Sequence, residues 1–112
     1  MSTNQNHSLL RIYMSSSDKD SENPIYESIV KMANENNIAG ATVLRGVLGY
    51  KAKQTDGSLH LSELKEKFPI VIEIVDKNEK IITFYEKIKT KLDDMTKGCL
   101  ITLENVDVLL YK

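Results

Sequence analysis

The sequence of 112 residues has little of three residue types, since it contains one cysteine, two prolines and no tryptophan. A single cysteine excludes an intrachain disulfide, and Cys99 has neither a second cysteine nor a nearby histidine with which to build a zinc site. We therefore expect Cys99 to be a small buried hydrophobic residue and the protein to work in the reducing cytoplasm.

Long apolar runs are also missing from the chain. No stretch approaches the roughly 20 residues that span a bilayer, and residues 1–8 lack the basic and then apolar pattern of a signal peptide. We expect residues 1–8 to be a disordered N-terminal tail and residues 9–112 to form one domain. We expect no membrane insertion.

Neither sign of charge dominates, because 15 basic residues stand against 16 acidic ones, with a formal net charge of -1. This balance excludes a general electrostatic affinity for nucleic acid or anionic membranes. An RNA-binding sheet would carry paired exposed aromatics on its third strand, where this sequence has Val71, Glu73 and Val75. We expect no nucleic-acid partner.

The apolar residues that are present follow strand and helix periods in alternation. They predict strands over 9–14, 38–50, 70–75, 99–103 and 106–111, with a break at Glu104-Asn105 before the last. A helix capped by Asn23 should start at Pro24 and end at Asn36-Asn37, and a second should start after the cap Asp76 and end before Gly98. The order predicts an α+β, ferredoxin-like β-α-β-β-α-β sandwich with an extra C-terminal strand and both helices on one face.

The face of the sheet away from the helices should then be unusually apolar. Strand alternation assigns nine residues of the first three strands to it: Leu9, Arg11, Tyr13, Val43, Arg45, Val47, Val71, Glu73 and Val75. Such a face is too apolar to stand in water, so we expect the sheets of several subunits to pack together. The extra strand is a candidate for extending a neighbour's sheet.

The second strand carries glycines and leads into a polar stretch. Glycine within a strand, as at Gly46 and Gly49, often marks a bulge, a bend or a close approach by another backbone or by a ligand. The polar run that follows contains an Asp-Gly turn signal, so we expect a mobile loop over 51–68, within which 59–68 also fits a short helical turn.

Two interpretations of the charged residues near this loop stay open. Arg45, Lys51 and Lys53 are placed to meet a phosphate or another anion. Alternatively, Arg45 and Arg11 belong to a salt-bridge network with Glu73, and the loop lysines are solvated. His60 is a candidate metal ligand, although a single histidine in a polar loop is usually neither a ligand nor a pH sensor.

Several segments together resemble an uncharacterised bacterial and archaeal family related to the PII signalling proteins and to CutA. They are 9–13, 24–27, 39–46, 69–76 and 103–106, read as Leu-Leu-Arg-Ile-Tyr, Pro-Ile-Tyr-Glu, Ala-Gly-Ala-Thr-Val-Leu-Arg-Gly, Pro-Ile-Val-Ile-Glu-Ile-Val-Asp and Leu-Glu-Asn-Val. The resemblance implies a PII-like homotrimer with ligands in clefts between subunits and a long loop that contacts an unidentified protein partner. It also implies sensing of a small molecule, often an adenine nucleotide.

PII proteins have a Gly-aromatic step where this sequence has Gly49 and Tyr50, and with the charged residues above this gives a candidate ligand-binding set of six residues: Arg45, Gly46, Gly49, Tyr50, Lys51 and Lys53. Two positions depart from the PII pattern. Lys51 stands where PII proteins have glycine, and 94–99 lacks their glycine-rich phosphate loop. The alternative from the same resemblance is a CutA-like trimer that binds metal or acts as a scaffold.

No enzyme is expected from this sequence, and no cofactor. The serine run Ser15–Ser17 with Asp18 could form an anion-binding nest. It lacks, however, the arginine and aromatic pattern that acylphosphatases place on this fold. No other nucleophile and base are recognisable.

Overall fold

A four-stranded antiparallel sheet with two helices makes up the computed structural model, which describes residues 6–20, 23–49, 68–93 and 98–112. The elements are β1 (His7–Ser15), β2 (Lys19–Asp20), β3 (Asn23–Pro24), α1 (Ile25–Glu35), β4 (Gly40–Arg45), β5 (Pro69–Lys77), α2 (Asn78–Asp93) and β6 (Leu100–Val106). The sheet order is β4-β5-β1-β6, and β2 pairs with β3 in a separate two-residue hairpin. This confirms the predicted ferredoxin-like α+β class.

The two central strands are β1 and β5. They pair along their whole length, from His7 opposite Lys77 to Ser15 opposite Pro69. In antiparallel strands, paired residues share one face of the sheet. The register therefore divides every residue of both strands between a helix-facing side and an outward side.

The core lies between the sheet and the helices. It consists of fully or nearly fully buried apolar side chains: Leu10, Ile12, Met14, Ile25, Ile29, Ala33, Ile70, Ile72, Ile74, Ile81, Phe84, Ile88 and Leu92. Burying one isoleucine or phenylalanine completely stabilises a fold by roughly 1.5–3 kcal/mol. The period-2 isoleucines of β5 and the 3.6-residue stripe of α2 meet here, which is why the strand and helix patterns are unambiguous in these segments.

Two element starts differ from the expectation. β1 begins at His7, inside the segment predicted as a tail, and Ser8 is fully buried with its Oγ donating to Asn78 Oδ1 at 2.6 Å. α1 begins at Ile25 without a side-chain cap, because Asn23 and Pro24 form β3 instead.

The C-terminal end of α1 lies at Asn36-Asn37, as predicted. Asn37 has φ 58, the left-handed conformation that asparagine tolerates better than most residues. The last turn of α1 contains no basic residue. α2 supplies the positive charge, because Lys80 Nζ donates to Asn37 O at 2.6 Å and Lys87 Nζ donates to Asn36 Oδ1.

The end of the sheet corrects a further prediction. β6 continues through Glu104-Asn105, the expected break, and ends at Val106, which lies opposite His7. Residues 107–112 form neither helix nor strand, so the predicted fifth strand is absent from the single chain. The early start of β1 offers partners to the whole of β6, which explains why β6 runs past the break.

Asp76 belongs to β5 and is not the cap of α2, which starts at Asn78. Its Oδ2 accepts the Ala39 amide at 2.9 Å and lies 3.3 Å from Lys80 Nζ, and its Oδ1 accepts the Lys77 amide at 2.6 Å. Burial alone would raise the pKa of Asp76, but the two amides and the ammonium together outweigh burial and lower it. The ionised carboxylate therefore ties the entry of β4 to the end of β5.

Asp76→Asn should destabilise the chain by about 1–3 kcal/mol at pH 7, because the amide loses charge-assisted hydrogen bonds in a buried position. A lowered folded-state pKa means that the stabilisation is complete above the unfolded pKa of about 3.9 and is lost as pH falls through the folded value. Urea unfolding at pH 7, 5, 4 and 3 should show the gap between wild type and variant closing at acid pH. Glu86→Gln, on the exposed face of α2, is the control and should change little. A gap that is constant with pH would contradict this role of the charge.

Candidate functional site

The candidate site is the place where the chain leaves β4 and returns to β5. Gly46 N donates to Pro69 O at 2.8 Å, just past the last residue of β4. A methyl group added at Gly49 would lie 3.4 Å from Pro69 Cγ, so Gly49 also lies beside Pro69. The two ends of the segment between Gly49 and Phe68 therefore lie side by side, and we call residues 45–49 with 68–69 the loop root.

Gly46 has a structural reason to be glycine. A methyl group built on it would lie 2.7 Å from Cγ and 3.3 Å from Cβ of Pro69, closer than carbon atoms normally approach. Gly46 is therefore closely approached by another group, which was one of the predicted reasons for a glycine here. The approaching group is the proline ring at the start of β5.

Arg45 lies over the ring of Phe68, with its guanidinium carbon 3.7 Å from the ring centroid. This is the geometry of a cation–π contact, which is worth about 0.5–2 kcal/mol depending on exposure. Arg45 is exposed and Phe68 is half-buried. The contact places a permanent positive charge at the loop root.

Phe68 is in turn held by the turn after β1. Its amide donates to Ser16 Oγ, and its carbonyl accepts the Ser16 amide, both at 3.0 Å. Within that turn, Asp18 Oδ2 accepts the Ser15 amide at 3.1 Å. The buried Asp18 carboxylate thus accepts a hydrogen bond from a backbone N–H group that the predicted anion nest would use. The serine run instead holds the loop root in place.

The outward face of the sheet is organised in three rows that cross all four strands. In register, they are Leu44-Val71-Tyr13-Leu100, Thr42-Glu73-Arg11-Thr102 and Gly40-Val75-Leu9-Glu104. The first row is apolar throughout, and three of its four side chains are exposed, Tyr13 by 37%, Leu44 by 47% and Leu100 by 58%. A contiguous exposed apolar row of this kind usually marks an interaction surface.

Arg11 forms an ion pair in the second row, as predicted, with a further partner that the sequence did not indicate. Its Nε lies 2.9 Å from Glu73 Oε2, and its NH1 lies 2.5 Å from Glu104 Oε1. The hydrogen bond that Arg11 donates to Glu73 contributes most to raising the pKa of Arg11, with Glu104 adding to it against partial desolvation. Glu104 was missed because it was assigned to a break between strands.

The faces assigned to the second strand were wrong. Val43 lies opposite Ile72 and Arg45 opposite Ile70, so both belong to the helix-facing side, and Thr42 and Leu44 point outward. Val47 lies beyond the end of β4. The error has a physical cause: Ala, Thr, Val and Leu in succession leave both faces compatible with burial, and only the register with β5 decides between them.

Arg45, Gly46 and Gly49 therefore come together at the loop root. Tyr50, Lys51 and Lys53 lie outside the described residues, as do His60 and most of the loop predicted over 51–68. Cys99 is exposed, which corrects the expectation that it is buried, because it precedes β6 at the edge of the sheet. Phe68 was not predicted as a site residue. The one available signal was that it directly precedes Pro69, where the chain enters β5.

Two kinds of feature are absent from the described residues. No group of three or more histidine, cysteine, aspartate or glutamate side chains there could hold a metal ion. None of the helices in that part of the chain is both long enough and apolar enough to cross a membrane.

Comparison with known proteins gives a family and a fold. The model of the DUF190 family, described as Uncharacterized ACR, matches residues 7–108. A UPF0166 protein of Aquifex aeolicus is 38% identical over 101 residues, which are 90% of this chain and 91% of that protein.

Two solved structures share the fold at low sequence identity. One is CPII, a nitrogen regulatory PII-like protein from Thiomonas intermedia K12 bound to ADP, AMP and bicarbonate, with a TM-score of 0.63, 10% identity and coverage of 96% of this chain and 97% of that one. The other is the divalent ion tolerance protein CutA1 from Ehrlichia chaffeensis, with a TM-score of 0.63, 15% identity and coverage of 97% and 87%.

Gly46→Ala should destabilise the chain by about 1–3 kcal/mol, because the added methyl group must displace the Pro69 ring. The three glycines form a matched series: Gly49→Ala makes an ordinary contact, and Gly40→Ala meets nothing within 4 Å. Both should be close to neutral in urea unfolding, or slightly stabilising through the unfolded state. Equal losses for all three variants would show that the proline contact does not limit the site.

Proposed function

The chain belongs to the DUF190 family, and from that premise we propose that it is a PII-like regulatory protein. In this proposal it is a cytoplasmic homotrimer that binds a small anionic ligand in clefts between subunits and reports occupancy through the loop at 51–68. An adenine nucleotide is the leading candidate for the ligand.

The observation that carries the proposal is the position of Arg45 at the loop root. Its guanidinium group lies on Phe68, at the point where the loop returns to the sheet, and the next residue, Gly46, is bonded to Pro69. In this proposal an anion binds the N–H groups at the edge of the guanidinium group and draws the group away from the Phe68 ring. Occupancy would then change the contact between the two ends of the loop.

The magnitudes are compatible with such a switch. The cation–π contact is worth about 0.5–2 kcal/mol, and a hydrogen bond to a charged group is worth about 1.5–3 kcal/mol. The two interactions are of similar strength, so an anion contact that requires Arg45 to leave the ring can offset the loss of the cation–π contact. We assign Gly46, Gly49, Tyr50, Lys51 and Lys53 to the same ligand site, with the lysines adding positive charge.

The fold likeness to CPII supports the choice of ligand class. The ligands in that structure, ADP, AMP and bicarbonate, are all anions. The absence of a glycine-rich segment at 94–99 argues that any phosphate contact here is made differently, through side-chain charge more than through a backbone cradle.

The apolar row of the outward face supports the trimer. Leu44, Tyr13 and Leu100 are exposed in the single chain, and the Arg11 ion pairs lie in the row beside them. Packing the outward faces of several copies together would cover the apolar row and keep the charges paired. The ligand clefts of the proposal exist only in such an assembly.

A CutA-like trimer that binds metal or serves as a scaffold is the second candidate. It is supported by the fold likeness to CutA1, whose TM-score equals that of CPII. His60 is its candidate ligand. The two proposals differ in which compounds should stabilise the folded protein.

Leu100→Glu should dissociate the assembly, because it places a carboxylate in the apolar row. Sedimentation velocity should give about three times the monomer mass of 12.7 kDa for wild type and a smaller species for the variant. Leu103→Glu is the matched control: it lies on the same strand with 45% exposure, but it pairs with Leu10 on the helix-facing side. A wild-type monomer at micromolar concentration would contradict the trimer and its clefts.

Thermal unfolding should reveal the ligand, since a compound that binds only the folded state stabilises it by about 2.7 kcal/mol at 100 times its Kd. The panel is ATP, ADP, AMP, bicarbonate, cyclic nucleotides, guanine nucleotides and divalent ions. We expect a saturable rise in Tm with an adenine nucleotide that is abolished in Arg45→Ala and kept in Lys89→Ala, an exposed control on α2.

Two outcomes of that panel oppose the proposal. A shift with divalent ions only, lost in His60→Ala, would favour the CutA-like alternative. A nucleotide shift of equal size in wild type and Arg45→Ala would remove Arg45 from the site.

A further inference from the structure

A groove lies between the C-terminal end of α1 and the adjacent side of α2. Its volume is 280 Å³, slightly below the range of about 300–1,000 Å³ for pockets that hold drug-sized ligands. The nearly fully buried Phe84 and the half-buried Ile38 give it an apolar lining. We call this groove, between residues 36–38 and 79–87, the helix groove. It is large enough for a small metabolite.

Two lysines of α2 are held at the helix groove by hydrogen bonds to the end of α1. Lys80 Nζ donates to Asn37 O at 2.6 Å, and Lys87 Nζ donates to Asn36 Oδ1. Asn36 Nδ2 in turn donates to Met32 O at 2.7 Å, which fixes the orientation of the amide that Lys87 contacts. A flexible lysine loses rotamer freedom when it binds a ligand, and part of that loss has already occurred here.

Both lysines reach adjacent residues of α1, although they are two helical turns apart on α2. Seven residues of helix rise about 10.5 Å, whereas the Cα atoms of Asn36 and Asn37 are about 3.8 Å apart. Thr83 lies three residues after Lys80 and four before Lys87, on the same side of α2. An ammonium group has three N–H donors, so each lysine keeps at least one beyond the contacts named here. Donors of three side chains therefore border one groove.

The charges at the helix groove favour an anion, although one carboxylate opposes it. Lys87 donates to an uncharged amide, whereas Lys80 also lies 3.3 Å from Asp76 Oδ2. Glu79 lines the groove as well. At 3.6 residues per turn, Glu79 lies about 80–100° around α2 from the two lysines, with Thr83 between. The lysines and Thr83 thus form one set of donors, and Glu79 stands at the edge of that set.

We propose that the helix groove binds a small phosphate monoester. A terminal phosphate presents three strong acceptor oxygens and a charge of about −1.5 to −2 at pH 7, which matches the ammonium groups of Lys80 and Lys87 and the hydroxyl of Thr83. Lysine binds phosphate as a point charge. A carboxylate carries a single charge and is a weaker match for two ammonium groups. Phe84 and Ile38 would contact the organic part of the ester.

This site is separate from the loop root and does not depend on the proposed trimer, because all its groups belong to one chain. Ile38 lies two residues before β4, and Arg45 is the last residue of that strand. The five steps from Gly40 to Arg45 span about 17 Å. A ligand in the helix groove and a ligand at Arg45 would therefore occupy different sites.

An NMR titration of the isotope-labelled full chain with inorganic phosphate and glycerol 3-phosphate tests the proposal. Saturable shifts should centre on the amides of 36–38 and 79–87. Lys87→Gln should raise the Kd for glycerol 3-phosphate at least about tenfold, because it removes a charge-assisted hydrogen bond. Glutamine can still donate to Asn36, so the end of α1 keeps a partner. Glycerate, which has a carboxylate in place of the phosphate, should bind more weakly.

Two further variants sharpen the titration. Glu79→Gln should lower the Kd about two- to fivefold, since it removes the carboxylate that opposes the anion. Lys89→Gln is the matched control: it removes an exposed lysine of the same helix that does not line the groove, and the Kd should not change. A gain in one variant and a loss in another cannot come from a general weakening of the fold.

Several outcomes would overturn the helix groove as a phosphate site. They are no saturable shift with either phosphate compound, an equal Kd in wild type and Lys87→Gln, or equal binding of glycerate. Binding that is lost in Arg45→Ala and kept in Lys87→Gln would assign the phosphate to the loop root, which overturns this inference and supports the proposed function. The reverse pattern would support the helix groove alone.

Discussion

The register between β1 and β5 is the constraint on which the rest of the structure depends. Because Ile12 lies opposite Ile72 and Arg11 opposite Glu73, one set of residues meets the helices and the other faces outward. A slip by one residue would bury the charged pair and expose the isoleucines. The rows of the outward face, the placement of β4 and the length of β6 all follow from this pairing.

The parts of the fold that could be predicted are those with a strong period. Isoleucine at every second position of β5 and the stripe from Ile81 to Leu92 on α2 specify both element type and buried face. The residues of β4 do not differ clearly in polarity between its two faces, so only its register with β5 determines which face is turned toward the helices. The end of β6 could not be read from composition either, because its partner on β1 determines it.

The sequence indicated where the candidate site lies, but it did not indicate which residues contact each other there. Gly46 signalled a close approach, but glycine does not say what approaches, and the Pro69 ring is 23 residues away in sequence. The same holds for Arg45 and Phe68, which meet only because both ends of the loop return to one point. Long-range pairs of this kind depend on the fold, whereas strand and helix periods are local.

The two proposed activities of the molecule meet on one strand. Leu44 points outward into the apolar row, and its neighbour Arg45 lies on the other side with Phe68. Successive residues of a strand share a backbone, so a displacement of the backbone at Arg45 also moves Leu44. In the proposed trimer, the guanidinium group that meets the ligand and the side chain that meets the neighbouring subunit are therefore mechanically coupled. If the proposed ligand displaces the backbone at Arg45, its binding would change subunit packing without a separate relay between the two sites.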